Sequence, residues 1–402
     1  MAKNRRKGTD EQEPDFKKVR KARRRRRFFV RLLILAVVIA VGALVIKNWE
    51  ALQPGTLIAK INSVLAGENG DGFPMDISGS QILHMETADG YTVLVSDTYV
   101  TMVNGNGTEV MRRAHAFSQP QLRTAGKYVL LAECGGKRLQ LETVAKTVLN
   151  LSTDYDILTA AVHKNGNIAV VTAPEQGYNA AVTVYSAGGE RIYHRQSSSL
   201  VADVAFSPSG NELALITVEA AEGALSSAIK VVSLHSSDSA PLYTYRESDT
   251  LLCRLQYLSD SLIAAVGDTT VWMYRPKRDT CQVYRLTDGE MQAFAIGDDS
   301  VVTVTAPYGS TAGGNVTYIK PDGSAEFTAA VEGTVRDIAV SGNSYALLTS
   351  SHLYQVTGKG IVGSRVMTTD GSRVSVSGNR VLVLGLQNLS KYTAPSRLNE
   401  VE

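Results

Sequence analysis

The sequence predicts an all-β fold, a β-propeller of eight four-stranded blades preceded by one transmembrane α-helix, and three observations predict it. A pattern of short strands and tight turns recurs about every forty residues over most of the chain. Within each repeat the second strand is apolar along its whole length while the third alternates, as stacked four-stranded blades require. Near the N-terminus, an uninterrupted apolar run, Leu32 to Ile46, follows a block of arginines.

Composition sets the frame for these elements. The chain has 402 residues, 44% of them hydrophobic, which excludes general disorder. Its 41 Lys+Arg and 39 Asp+Glu nearly cancel, yet residues 1–31 hold 14 basic and 4 acidic residues, so the remainder is acidic, with 35 against 27. That asymmetry marks a topological boundary. Three widely spaced cysteines, Cys134, Cys253 and Cys281, exclude a disulfide-stapled scaffold and a Cys-rich metal site, and they leave the compartment open.

With Phe28, Phe29, Val30 and Arg31 the apolar run reaches 19 residues, a helix of roughly 28 Å that matches one hydrocarbon core. Arg31 lies one turn inside and snorkels towards the headgroups, and Lys47 and Trp49 form an interfacial pair at the far end. Arg23, Arg24, Arg25, Arg26 and Arg27 hold the N-terminal side in the cytoplasm, which puts the rest of the chain outside. A cleaved signal peptide is the rival reading, but 27 residues are long for its basic region and no small-x-small site follows Ile46. The five arginines also have the composition of a nucleic-acid patch; beside a membrane helix they read as topogenic, in contact with anionic lipid, and no nucleic acid is expected as a partner. Residues 1–27 are therefore a disordered basic cytoplasmic tail, 28–47 a signal-anchor helix, and 48–72 a linker. In that linker Leu57, Ile58, Ile61, Val64 and Leu65 have the spacing of a short amphipathic helix.

The repeat is anchored by the turn before each second strand. Asp89-Gly90, Ala125-Gly126, Asn165-Gly166, Ser209-Gly210, Ser259-Asp260, Asp298-Asp299, Gly342-Asn343 and Gly378-Asn379 follow one another at intervals of 36 to 50 residues, the length of a propeller blade. The strands ahead of the turns agree, since Val201 to Phe206 and Val335 to Val340 match almost position by position. Seven blades are complete between about residues 80 and 368, and residues 372–393 supply three strands of an eighth. Phe73 to Ile77 is the candidate for its missing outer strand, which would join the chain ends and hide both sheet edges. One misread turn would reduce the count, so seven blades is the alternative. The propeller is assigned to 73–394 and a disordered tail to 395–402.

At Val204-Ala205-Phe206-Ser207-Pro208-Ser209-Gly210-Asn211-Glu212-Leu213-Ala214 the chain resembles the F-S-P-D-G-x-x-L-A signature of WD-like and periplasmic translocation-protein-type propellers, with Ser209 in place of the usual Asp. The whole plan also resembles an uncharacterised family of bacterial membrane-anchored extracytoplasmic propellers. The features that carry this are the basic tail, one anchor helix, the Gly72-Phe73-Pro74 start, and Pro120-Gln121-Leu122 before the second blade. The resemblance implies fold and location, and it carries no active site.

Little in the chain points to catalysis. Six histidines are scattered over different repeats without metal-ligand spacing. Asp154-Tyr155-Asp156 lacks the graded ligands of a calcium loop, and Asp298-Asp299 sits in a turn that favours Asp for local hydrogen bonding. A G-x-S-x-G elbow is absent, and the Gly-rich stretches Asn104-Gly105-Asn106-Gly107 and Gly313-Gly314 lie between strands, where they make poor phosphate cradles. No catalytic, cofactor-binding or metal residue is assigned, no cofactor is expected, and an enzyme is the weaker class.

Asp203, Arg254, Gln292, Arg336 and Asp337 fall on the innermost strands and are candidates for lining a central channel, with ties between neighbouring blades as the competing role. Long loops at Glu219 to Ser227 and Ala306 to Gly314 both connect second to third strands and emerge on one face, the expected interaction face. The function expected is a non-enzymatic, membrane-anchored, extracytoplasmic interaction or sensing module, with an extracytoplasmic protein or envelope component as its partner. The alternative is an extracytoplasmic hydrolase or lyase whose site lies at the channel mouth.

Overall fold

The tight turns that mark the repeat each join an innermost strand to the apolar strand beside it. In the computed structural model, residues 72–398 are described, apart from 175–176, 222, 237–239, 288, 311 and 368–369, and all belong to the unit Ile61–Glu402. The expected basic tail (1–27), the expected anchor helix (28–47) and nearly all of the expected linker (48–72) fall outside the described residues.

A two-residue strand, β1 (Met75–Asp76), precedes seven consecutive four-stranded antiparallel sheets. The first holds β2 (Ile82–Ala88), β3 (Tyr91–Ser96), β4 (Tyr99–Val103) and β5 (Glu109–Ala114), and the second β6 (Pro120–Ala125), β7 (Tyr128–Glu133), β8 (Arg138–Glu142) and β9 (Thr147–Ser152). The third runs β10 (Ile157–Val162), β11 (Ile168–Thr172), β12 (Ala180–Tyr185), β13 (Arg191–Ser197), and the fourth β14 (Leu200–Phe206), β15 (Glu212–Ala221), β16 (Ala224–Ser233), β17 (Tyr243–Ser248). The fifth comprises β18 (Leu252–Ser259), β19 (Leu262–Gly267), β20 (Thr270–Arg275) and β21 (Thr280–Arg285), and the sixth β22 (Glu290–Ile296), β23 (Val301–Ala306), β24 (Gly313–Ile319) and β25 (Ala325–Glu332). The seventh has β26 (Val335–Ser341), β27 (Ser344–Thr349), β28 (His352–Thr357) and β29 (Gly360–Val366). The eighth is composite: β30 (Arg373–Ser377), β31 (Arg380–Leu384) and β32 (Asn388–Thr393) are completed by β1 at the outer edge. The fold is thus an eight-bladed propeller, closed by the segment that the incomplete last repeat required.

Period-two geometry explains why the second strands are apolar throughout. Successive side chains point to opposite sheet faces, and here both faces are covered. In β3, Val93 and Val95 pack towards the second blade while Leu94 packs towards the eighth; in β15, Leu213 and Leu215 meet the third blade while Ala214 and Ile216 meet the fifth. Eight apolar layers result among the described residues, one between each neighbouring pair of blades. The turns need unusual backbone only locally: Asp89 and Gly90 both have positive φ, +50° and +81°, the combination that matches the twist of a two-residue hairpin.

At the junction of the chain ends, Met75 pairs with Leu389 and Asp76 with Asn388, and the Ile77 N–H donates to the Gln387 carbonyl at 2.9 Å. Ile77 then joins Leu382, Leu384 and Leu389 of the last blade and Met85, Leu94 and Val103 of the first. The Gly-rich turn Asn104–Gly107 serves this junction. Gly72 donates to the Asn106 carbonyl at 2.8 Å, and a Cβ on Gly107 would stand 2.7 Å from the Gly72 backbone.

Two expectations are corrected. Glu219 to Ser227 is not a loop: β15 and β16 are ten residues each and stay paired from Glu212↔Ser233 to Ala221↔Ala224. The acidic residue that suggests a loop is held in the strand, because Glu219 accepts hydrogen bonds from Ser199 at 2.5 Å and Arg246 at 2.7 Å. The start of the supposed C-terminal tail is also placed, since the Ser364 N–H donates to the Arg397 carbonyl at 2.9 Å and Pro395 is buried. Gly363 permits that approach, as a Cβ there would lie 2.1 Å from the Pro395 carbonyl oxygen.

Leu389 is fully buried where the two chain ends meet. Leu389→Ala is expected to lower stability by about 2–5 kcal/mol through the lost packing and the cavity left behind, read as a lower midpoint in urea unfolding followed by tryptophan fluorescence. A loss below about 0.5 kcal/mol would mean that the ring does not depend on this junction.

Candidate functional site

The innermost strands surround the propeller axis, and six of them carry a bulge near the start, as between Val201 and Asp203 of β14 or Val335 and Asp337 of β26. The extra residue resets the alternation, so the residue after the bulge and the one two further on are the positions to follow. The first of these positions holds His84, Thr159, Asp203, Arg254, Ala293 and Asp337 in the bulged strands. Gln121 in β6 and Arg373 in β30 occupy the corresponding place in the two strands that lack the bulge. Two residues on come Glu86, Arg123 and Gln256, with alanine at 161, 205, 295 and 339.

A cavity of about 430 Å³ lies on this axis, lined among others by His84, Glu86, Arg123, Arg254, Gln256, Asp337 and Arg373. Arg254 and Asp337 therefore line the channel as the sequence suggests. Asp203 lies beneath the lining, only 2% exposed, where it faces both Arg123 at 3.8 Å and Arg254 at 3.9 Å. Gln292 and Arg336 are exposed and are not among the lining residues; each immediately precedes the residue at which its bulged strand resumes pairing, Ala293 or Asp337. His84, Glu86, Arg123, Gln256 and Arg373 are among the lining residues that sequence reasoning missed. Alternation along each inner strand from the Asp203-equivalent position is the signal that finds them.

Part of this polarity holds the ring together. Gln121 Oε1 accepts the Ala160 N–H at 2.9 Å, Asp203 Oδ2 the Leu255 N–H at 3.0 Å, and Asp337 Oδ2 the Val374 N–H at 2.9 Å. Each bond ties one inner strand to that of the next blade, so Asp203 and Asp337 are ties as well as channel residues. Thr87 and Ser375 make a further link, hydroxyl to hydroxyl at 2.8 Å, between the first and last blades.

Burial shapes the charges. It pulls the Arg123 guanidinium down to about 10, helped by the neighbouring Arg254 and resisted by Asp203 and Glu86. Burial raises the Glu86 carboxyl despite Arg123, Arg254 and a 3.1 Å hydrogen bond from Thr124. It also raises Asp337, against the Val374 N–H and Arg373. His84 is lowered by burial and then by Arg373, so its ring favours the neutral form. Among the described residues no group of three His, Cys, Asp or Glu is placed to hold a metal ion.

The two rims of the disc differ. In antiparallel blades the connections alternate between faces, so second-to-third-strand loops share a face with the segments leading into the inner strands. Tyr178, Tyr308 and Leu386 stand on the former, with Tyr308 87% and Leu386 82% exposed, Leu225 lies beside one of them at the start of β16, and Tyr155, Leu200 and Leu251 are on or beside the latter. Only Ile192, near the start of β13, and Leu242, ahead of β17, lie on or beside the opposite side's connections among the exposed large apolar side chains of the described residues.

Comparison with known proteins places these observations. A family described as "Family of unknown function (DUF5711)" matches residues 74–389. Among solved structures, the BamB protein from Moraxella catarrhalis is similar at 10% identity and TM-score 0.52, over 79% of this chain and 99% of that one. A structure titled as the eukaryotic initiation factor is similar at 10% identity and TM-score 0.52, over 80% and 88% of the two chains. These likenesses show the fold alone. No curated protein matches.

Removing the shared counter-charge tests the channel's internal pairing. Asp203→Ala leaves Arg123 and Arg254 without the carboxylate they face and the Leu255 N–H without its acceptor, and a loss of about 3–5 kcal/mol is expected in urea unfolding. Glu86 gives a pH signature. Because its folded pKa is raised, it contributes stability that is complete below the ordinary glutamate value of 4.5 and disappears as pH rises through the folded value. Glu86→Gln should therefore be more stable than the parent at pH 8 and lose that advantage below pH 4.5, measured as thermal midpoints across the range. An advantage independent of pH would show that the carboxyl is not the cause.

Proposed function

The chain belongs to this family of unknown function, and we propose that it works as a non-enzymatic interaction module that presents one face of its propeller to a protein partner. The one-sided distribution of exposed Tyr and Leu side chains carries this reading. Single exposed apolar residues are ordinary on any surface, but their gathering on the connections of one face, on a rigid ring, is the arrangement that protein contacts use. Tyr and Leu standing on separate loops across a broad face suit another macromolecular surface better than a small molecule, which a concave pocket would hold.

The location belongs to the same proposal. The apolar segment 28–47, the arginines ahead of it and the acidic balance behind it support a single-pass anchor with a cytoplasmic N-terminus and an extracytoplasmic propeller. Lipid contact is then confined to the anchor and the basic tail.

Crosslinking of the full-length protein in its native cells, with mass spectrometry of what is captured, tests the reading. Tyr308→Asp combined with Leu386→Asp is expected to reduce capture of specific partners about tenfold or more, a loss of 1.4 kcal/mol, while Ile192→Asp leaves it intact. Equal capture by all three chains would place the binding surface elsewhere.

A further inference from the structure

The axial cavity contains more hydrogen-bond donors than the protein itself uses. Arg123 makes one hydrogen bond, to the Leu122 carbonyl at 3.2 Å, and otherwise faces Asp203 at 3.8 Å. Arg254 makes its one close ion pair with Asp203, at 3.9 Å and beyond hydrogen-bond distance, and acts on Glu86 only at longer range. Arg373 lines the cavity near Asp337 and His84, and its side chain makes no hydrogen bond or close ion pair with any described residue. A guanidinium offers five donors in a planar fork, so three of them leave most of their capacity directed at the cavity or at the water filling it.

The acceptors are in the opposite condition. Asp203 receives the Leu255 N–H and faces two guanidinium groups, Asp337 receives the Val374 N–H, and Glu86 receives the Thr124 hydroxyl. Burial raises the Glu86 and Asp337 carboxyls, against the guanidinium groups that favour their ionised forms. The surplus is therefore of hydrogen-bond donors. Solvent reaches it, since the side chains of Arg123 and Arg254 are 22% and 31% exposed.

We propose that the axial cavity is a binding site for a small molecule bearing an anionic oxygen group, a carboxylate or a phosphate, with Arg123, Arg254 and Arg373 as its ligating side chains. Forked guanidinium groups match both groups bidentately. At about 430 Å³ the cavity has the size of an ordinary small-ligand site. The site lies on the axis and uses none of the apolar face residues, so it stands or falls independently of the docking proposal.

The test is calorimetric titration of the purified full-length chain in detergent with citrate and with inorganic phosphate, using glycerol as the uncharged control. One-to-one binding of at least one anion with Kd of about 1 mM or tighter is expected; the tighter of the two identifies the anionic group preferred. Arg254→Gln and Arg373→Gln should each weaken that binding about tenfold, and Arg336→Gln, whose side chain is exposed outside the cavity lining, should not. Should either channel variant fail to fold, phenylglyoxal labelling of the parent chain supplies the second reading. Arg254 and Arg373 should then be protected by the anion while Arg336 is modified at an unchanged rate. The proposal is overturned if neither anion binds saturably, if the channel variants bind as the parent does, or if the anion protects no channel arginine.

Discussion

Closure of the ring is the constraint on which everything else depends. A single four-stranded blade has two faces and can bury neither by itself. Here each apolar layer belongs to two blades at once: β7 gives Val129 and Leu131 to one neighbour and Leu130 and Ala132 to the other. Such an arrangement leaves two bare faces unless the last blade meets the first. That meeting is made by β1 on β32 and by Ile77 set between Leu382, Leu384, Leu389 and the first blade's Met85 and Leu94. A pairing of only two residues suffices because it works with an apolar layer, and because the segment is positioned from its other side by Gly72 on Asn106.

The axis follows from the same geometry. Eight blades hold their inner strands far enough apart that side chains do not fill the centre, and the alternation in those strands determines what faces it. Ala295 and Ala339 keep part of the lining small, while Arg123, Arg254 and Arg373 bring charge to the rest. Polar groups here divide into those whose bonds are complete within the protein, such as Gln121 on Ala160 and Asp203 on Leu255, and those whose donors remain open. The first group holds the blades in register. The second gives the channel its chemistry.

Much of the fold was legible in the sequence because it is written in local signals. Turn residues, the continuous apolar strands and the shortfall of one strand in the last repeat led to eight blades and to Phe73–Ile77 as the closing segment. The site was legible only in part. Asp203, Arg254 and Asp337 could be placed at the axis, but a bulge shifts which of two adjacent residues points inward, so Gln292 and Arg336 were assigned one position too early. No residue type announces a bulge. Arg123 and Arg373 were missed for the complementary reason, since β6 and β30 lack the bulge and resemble the other inner strands less closely. Glu219 misled through its charge, which is neutralised by Arg246, Lys230 and Ser199, partners that the sequence keeps 27, 11 and 20 residues away.

The face and the channel differ in what the fold requires of them. Asp203 and Asp337 cannot change without loosening ties between blades. Tyr308 and Leu386, at 87% and 82% exposed, contribute to none of the apolar layers. Replacing either by a polar residue would leave the ring as it is and favour solubility. Folding thus supplies no reason for large apolar side chains at those loop tips. Nor does it supply one for their one-sidedness, because the ring presents nearly equal numbers of connections to its two faces. The partner contact proposed for that face is a requirement outside the fold that would account for both.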